Sequence, residues 1–169
     1  MKHVRRSGFT LVEILIVAVI MGILASIVIP QFTQSSDDAR YSATLQDLQT
    51  LRSQIDLYRN QHENRYPGDT KSSDGSAGGD GTDFAKQLTE PTNESGKTGA
   101  FGDPDYPFGP YFHNQVPANP FNALRDVTVD SPTTADDASG WVFEKTAGRI
   151  RINHAGKIPG DKTTDYWAL

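Results

Sequence analysis

The chain of 169 residues contains no cysteine, which excludes disulfide bonds, thiolate zinc sites, thiol nucleophiles and a lipidated cysteine anchor. Basic residues are in the minority, with 16 Lys and Arg against 21 Asp and Glu. An acidic chain without a basic stripe argues against nucleic acid as a partner. Apolar residues make up 36% of the chain, and many of them fall within residues 1–32. The remainder is polar and predicts one small, loop-rich domain.

Motifs of catalysis are missing as well. The sequence has neither a nucleophile motif nor the HExxH pattern of metalloproteases, and its four histidines are scattered at positions 3, 62, 113 and 154. No histidine and carboxylate stand at a spacing typical of metal ligands. We therefore expect a protein that is not an enzyme.

One long apolar run is present, from Phe9 to Ile29. At about 1.5 Å per residue, a helix of this length spans the roughly 30 Å hydrocarbon layer of a bilayer. Three basic residues lie at positions 2–6 and two aspartates at positions 37–38. This asymmetry predicts a single-pass protein with its N-terminus in the cytoplasm and its C-terminal part outside.

The stretch "SGFTLVEILIVAVIMGILASIVIP", residues 7–30, resembles the leader and N-terminal helix of type IV prepilins and of the pseudopilins of type II secretion. The resemblance implies that a membrane peptidase cuts after Gly8 and methylates the new N-terminus at Phe9. It also implies that Glu13 is the assembly residue and that the helix kinks at Pro30.

Glu13 is the single charged side chain of the apolar run, and its chemistry agrees with this role. An ionised acid inside a span costs roughly 2.5 to 3.5 kcal/mol or more and normally faces a partner. Cleavage at Gly8 would create an α-amino group on Phe9. A shift of about four residues, roughly 6 Å, between neighbouring helices would bring that amine beside the next subunit's Glu13. The carboxylate then sets the register between subunits.

Beyond Pro30, an apolar stripe with spacings of three and four residues predicts an amphipathic helix to about residue 63. Its members are Thr44, Leu48, Leu51, Ile55, Tyr58 and His62. The stripe is expected to pack on the protein's own sheet, with His62 tucked against it. Tyr66 and Pro67 should end the helix. The segment "LYRNQHENRYP" is similar to the helix end of major pseudopilins.

Residues 67–102 include a stretch dominated by glycine, serine and aspartate, at 68–83, that predicts a flexible loop. The proline-rich and aromatic residues 103–122 should lie extended and cover a thin core. Within the small β domain expected over 103–169, residues 140–153 predict a hairpin and residues 126–130 a third strand. The predicted fold is α+β, a long helix packed on a small antiparallel sheet, as the resemblance to pilins also implies.

Major pseudopilins commonly hold calcium in a C-terminal loop, so the resemblance implies such a site in the tail "GKIPGDKTTDYWAL". Its carboxylates are Asp161 and Asp165. Calcium takes six to eight oxygens, so backbone carbonyls and Asp136 or Asp137 would have to complete the site. The residues leave a second interpretation open, a solvated tail whose aromatic pair at 166–167 docks on the sheet. We expect no required cofactor, with calcium as the one optional ion.

The expected organisation is a leader (1–8), a transmembrane helix (9–29), its amphipathic continuation (30–66), the loop region (67–102) and the β domain (103–169). The resemblance implies a subunit of a periplasmic pseudopilus that drives type II secretion from the bacterial inner membrane. Its expected partners are copies of itself, other pseudopilins, the prepilin peptidase, and the assembly platform with its cytoplasmic ATPase. The alternative is a subunit of a type IV pilus, which the lack of cysteine disfavours because many major pilins close a loop with a disulfide.

Overall fold

The computed structural model describes residues 9–161 and 163–169. The chain divides into two compact units, an N-terminal unit that ends at Ala39 and a C-terminal unit of Arg40–Leu169. The regular elements are α1 (Leu11–Gln61), α2 (Gly81–Thr89), β1 (Val127–Val129), β2 (Trp141–Glu144), β3 (Arg149–Ile152) and a 3₁₀ turn (Tyr166–Ala168).

The C-terminal end of α1 lies earlier than the sequence predicts. Glu63 and Asn64 adopt positive φ angles of 53° and 67°, and the Asn64 amide donates to the Arg59 carbonyl at 3.0 Å. Left-handed residues of this kind stop a helix, and asparagine tolerates them better than most. The helix therefore ends at Gln61 and not at Tyr66.

Pro30 lies inside α1, and the helix continues through it without a break. Because Pro30 has no amide hydrogen, the carbonyl of Ser26 lacks its usual donor one turn later. A bend of the helix at Pro30 stays a prediction.

The sheet has the order β1-β2-β3. Strands β2 and β3 form the expected antiparallel hairpin, in which Trp141 pairs with Ile152 and Phe143 with Ile150. Strand β1 pairs with β2 in parallel, so the expectation of an antiparallel sheet is wrong and the sheet is mixed. The reason is the connection 130–140, which returns the chain to the starting end of β1 before β2 begins.

The core of the C-terminal unit forms where the stripe of α1 and one face of the sheet meet. All six predicted stripe residues are buried, as are Trp141, Phe143, Ile150 and Ile152. Leu48, Leu51, Ile55 and Tyr58 belong to one apolar cluster with these strand residues. The predicted packing of the helix on the sheet is confirmed, and with it the α+β fold.

Residues 67–102 are predicted to be loop throughout, but α2 (Gly81–Thr89) lies within them. Asp80 caps the helix by accepting hydrogen bonds from the Thr82 and Asp83 amides, and the Asp83 carboxylate in turn accepts from the Asp80 amide. Phe84 and Leu88 are fully buried in the common core. The spacing of these two apolar residues, one helical turn apart, is a helix signal hidden by the glycine-rich residues before it.

Gln87 fixes α2 to the loops on either side. Its side-chain oxygen accepts from the Gly68 amide at 2.8 Å, and its nitrogen donates to the Thr70 carbonyl at 2.9 Å and the Gly96 carbonyl at 2.7 Å. Its side chain is completely buried. A buried amide that satisfies three backbone groups at once holds residues 68–96 in one conformation.

The aromatic residues of 103–122 cover the core as predicted. Tyr111, Phe112 and Phe121 are partly buried and pack against the apolar cluster, and Val116 belongs to it.

Candidate assembly segment

The first part of α1 exposes an apolar surface on all sides. Every described side chain from Phe9 to Thr33 is exposed, including Leu11 at 84% and Phe32 at 71%. By length and composition, α1 is one helix in the described part of the chain that could cross a membrane. A helix that is apolar all round needs an apolar environment, either lipid or other protein chains.

Glu13 lies in the first turn of α1, next to Thr10, the residue that precedes the helix. One carboxylate oxygen of Glu13 accepts from the Thr10 amide at 3.0 Å and from the Thr10 hydroxyl at 2.9 Å. The Thr10 hydroxyl oxygen in turn accepts from the Glu13 amide at 3.2 Å. These reciprocal bonds form a capping box. The pattern Thr-x-x-Glu signals it in the sequence, although the sequence reasoning missed it.

This capping box shows where the Glu13 carboxylate is held within a single chain. The Thr10 amide and hydroxyl that contact the carboxylate are neutral groups. They donate hydrogen bonds to its negative charge but do not neutralise it. A cation supplied by another chain would therefore find an accessible carboxylate at the start of the helix. The Phe9 side chain is 82% exposed and stands four positions before Glu13. Gly8, the predicted cleavage position, lies outside the described residues.

The carboxylates predicted to bind calcium are already engaged. Asp165 Oδ1 lies 2.5 Å from the Lys157 ammonium. Asp161 accepts from the hydroxyl groups of Thr163 and Thr164, each at 2.5 Å, and from the Thr163 amide at 2.8 Å. These hydrogen bonds, led by those of the two hydroxyl groups, hold the pKa of Asp161 well below its usual range.

The two further carboxylates proposed for this site face other partners. Asp136 accepts from the Asn153 amide group at 2.7 Å, and Asp137 lies 2.7 Å from His154 Nδ1. Over 9–161 and 163–169, no group of three or more His, Cys, Asp or Glu side chains is placed to hold a metal ion. The calcium site that the resemblance implies therefore stays a prediction.

The aromatic pair at the end of the chain docks as the second interpretation of the tail expects. Tyr166 is 2% exposed, and the Arg151 guanidinium of β3 lies 5.3 Å from the centre of the Trp167 ring.

His154 and Asp137 form a histidine–carboxylate pair that sequence spacing does not reveal, because the residues are 17 positions apart. The His154 ring stacks on Phe121, with ring centres 4.1 Å apart. A Cβ atom added to Gly156 would collide with His154 Nε2, so this backbone covers the second ring nitrogen. The contacts with Asp137 and Phe121 hold the His154 ring in one orientation.

His62 is tucked into the core, as predicted. Its ring stacks on Tyr58 with centres 3.7 Å apart. Nδ1 lies 2.7 Å from the Tyr58 carbonyl oxygen and Nε2 lies 2.9 Å from the Thr92 hydroxyl. The carbonyl can only accept, so Nδ1 carries the hydrogen. Burial lowers the pKa of His62, and the neutral ring joins α1 to the loop at residue 92.

Comparison with known proteins bears on the N-terminal segment. A family model described as the prokaryotic N-terminal methylation motif matches residues 4–29. Type II secretion system core protein G of Aeromonas hydrophila is 40% identical over 67 residues, which are 40% of this chain and 46% of that protein. Its namesake from Klebsiella michiganensis is 42% identical over 67 residues, with the same two shares of 40% and 46%.

The protein of the same name from Pseudomonas aeruginosa is 39% identical over 59 residues, 35% of this chain and 42% of that protein. The chain thus spans less than half the length of these curated relatives. No solved structure matches it at a significant level. In its N-terminal part, the chain carries the prokaryotic N-terminal methylation motif and is similar to the core protein G of type II secretion systems.

Proposed function

We propose that this chain is a structural subunit of a periplasmic pseudopilus that drives type II protein secretion. The methylation motif and the similarity to core protein G support this function. The proposed role is mechanical and not catalytic: subunits stored in the inner membrane are added at the base of a short filament, which pushes cargo outward.

The observation that carries the proposal is the accessible carboxylate of Glu13 on a helix that is otherwise apolar and exposed. A charge in the hydrocarbon layer costs roughly 2.5 to 3.5 kcal/mol or more, and Thr10 provides hydrogen bonds but no positive charge. The α-amino group of a neighbouring subunit supplies that charge when its Phe9 is the first residue. Each subunit is then added in the one stagger that pairs the two groups.

This mechanism requires cleavage between Gly8 and Phe9 by a prepilin peptidase, followed by methylation of the Phe9 amine. A methylated amine keeps its positive charge at neutral pH and remains a partner for a carboxylate. The methylation motif over residues 4–29 supports this processing.

The proposed location is the bacterial inner membrane, with a single span and the C-terminal unit in the periplasm. The long apolar helix fits a membrane-anchored protein, and the basic residues at 2–6 support the cytoplasmic placement of the N-terminus. In this topology the partners are further copies of the chain, other pseudopilins, the membrane assembly platform and, through it, a cytoplasmic ATPase.

The test is complementation of a strain that lacks this gene, with Glu13→Leu and Glu13→Gln expressed at the level of the wild-type chain. Leucine favours membrane insertion, and glutamine preserves the shape without the charge. Both variants should reach the membrane in normal amounts and fail to form filaments or to restore secretion. Glu94→Leu is the matched control, because Glu94 is an exposed glutamate of the C-terminal unit.

Normal filaments from both Glu13 variants would refute the proposed pairing. If the deletion strain secretes normally but loses surface pili, the chain serves the alternative function as a type IV pilus subunit.

A further inference from the structure

The segment from Gly156 to Tyr166 forms a loop whose two ends are joined by backbone hydrogen bonds. Lys157 and Asp165 face each other in an antiparallel bridge. The Ile158 amide donates to the Thr164 carbonyl and the Tyr166 amide to the Gly156 carbonyl, both at 3.0 Å. The two ends of the loop are therefore held together, and the side chains of Lys157 and Asp165 meet there.

Where the two ends of the loop meet, a positive charge is supplied by a lysine side chain. The Lys157 ammonium lies 2.5 Å from Asp165 Oδ1 and 3.5 Å from the Thr163 carbonyl oxygen. A carboxylate and a backbone carbonyl are the ligand types that hard cations such as calcium take. Here a covalently attached ammonium group already contacts both oxygens.

The second aspartate of the loop is committed to the loop itself. Asp161 accepts four hydrogen bonds, two each from Thr163 and Thr164. A metal ion would have to displace donors from Asp161 and the ammonium from Asp165. Among the described residues of this loop, the ammonium of Lys157 and the carboxylate of Asp165 neutralise each other.

We propose that the ammonium of Lys157 is the built-in cation of this loop, which closes residues 157–165 without a divalent metal ion. The loop differs in this respect from the calcium loop that the resemblance to major pseudopilins implies. Closure places the next residue, Tyr166, in the core, where its ring packs edge-on against Tyr41 of α1 with centres 6.0 Å apart.

Hydrogen exchange of the full-length chain in detergent measures this closure directly. The readout is the amide exchange rate of the peptide covering residues 155–169, followed by mass spectrometry. Lys157→Met keeps most of the side chain's length and removes its charge. Because the ion pair is half-exposed, the loss should speed exchange in this peptide by about 2- to 5-fold. Lys71→Met is the matched control, since Lys71 is an exposed lysine in another loop.

The partner residue provides a second variant. Asp165→Asn should speed exchange to a similar degree, and the double variant should add little to either change, because both remove the same contact. If Lys157→Met exchanges no faster than Lys71→Met, the ammonium does not close the loop and the proposal fails.

The same peptide distinguishes the lysine from a metal ion. In the wild-type chain, its exchange should be equal in a metal chelator and in excess calcium. Slower exchange in calcium would show that a divalent ion binds the loop, and would overturn the proposal. These results do not depend on secretion or filament formation, so this inference and the proposed function can fail separately.

Discussion

Replacing Gln87 with alanine should strongly destabilise the C-terminal unit. The side chain is fully buried and makes bonds to the Gly68 amide, the Thr70 carbonyl and hydroxyl, and the Gly96 carbonyl. Each buried hydrogen bond contributes about 0.5 to 1.5 kcal/mol, and an orphaned buried group costs more. We expect a loss of about 3 to 5 kcal/mol, a large share of the roughly 5 to 15 kcal/mol that stabilises a domain.

Urea unfolding of the full-length chain in detergent, followed by tryptophan fluorescence, measures this loss. The buried Trp141 reports on the sheet, whereas far-ultraviolet circular dichroism would be dominated by the long helix α1. Lys86→Ala is the control, because Lys86 is exposed on the same helix and should change stability by less than about 0.5 kcal/mol.

A loss below about 1 kcal/mol for Gln87→Ala would refute the reasoning. It would mean that water replaces the side chain's bonds, as it does in a mobile loop, and that residues 68–96 are not held in one conformation.

Two further predictions concern the core. Burial lowers the pKa of His62 in the folded chain, so the unfolded chain binds the proton more tightly. The stability that comes from a neutral His62 is therefore complete above about pH 6.5 and falls as the pH drops below that value. When the free energy of unfolding in urea is measured against pH, His62→Gln should flatten this part of the curve. His113→Gln, at an exposed histidine, should leave it unchanged. Equal curves for both variants would contradict a neutral, buried His62. Phe143→Ala should cost about 3 to 5 kcal/mol, because the ring is fully buried between Tyr66 and Phe84. The same unfolding assay measures that loss, and a cost below about 1 kcal/mol would place Phe143 outside the core.

The regular, periodic parts of the fold could be predicted from the sequence. The α1 stripe from Thr44 to His62 follows helical spacing, and the hairpin of residues 141–152 alternates apolar and polar side chains around a short turn. In both cases the pattern reflects burial of one face, which is a local property of the sequence. The docked tail could be predicted for a similar reason, since Tyr166 and Trp167 are large aromatic residues in a thin domain.

Features that depend on contacts between distant residues could not be predicted. Strand β1 runs parallel to β2 because of the path of residues 130–140, and no local pattern records that path. Helix α2 was hidden because glycine-rich residues precede it, although Phe84 and Leu88 stand at helical spacing. The pairs Lys157–Asp165 and His154–Asp137 likewise arise from folding. Within the candidate assembly segment, the positions of Phe9 and Glu13 follow from the motif. The contact of Glu13 with Thr10 was missed, although the pattern Thr-x-x-Glu signals it.

The central claim is that the chain is processed to begin at Phe9, whose amine then pairs with Glu13 of a neighbouring subunit. The most direct measurement is the intact mass and N-terminal sequence of the protein purified from the membranes of its native host. The account predicts a chain that starts at Phe9 and carries one added methyl group. A chain that retains residues 1–8, in cells that contain a prepilin peptidase, would leave Glu13 without its proposed partner and would contradict the account.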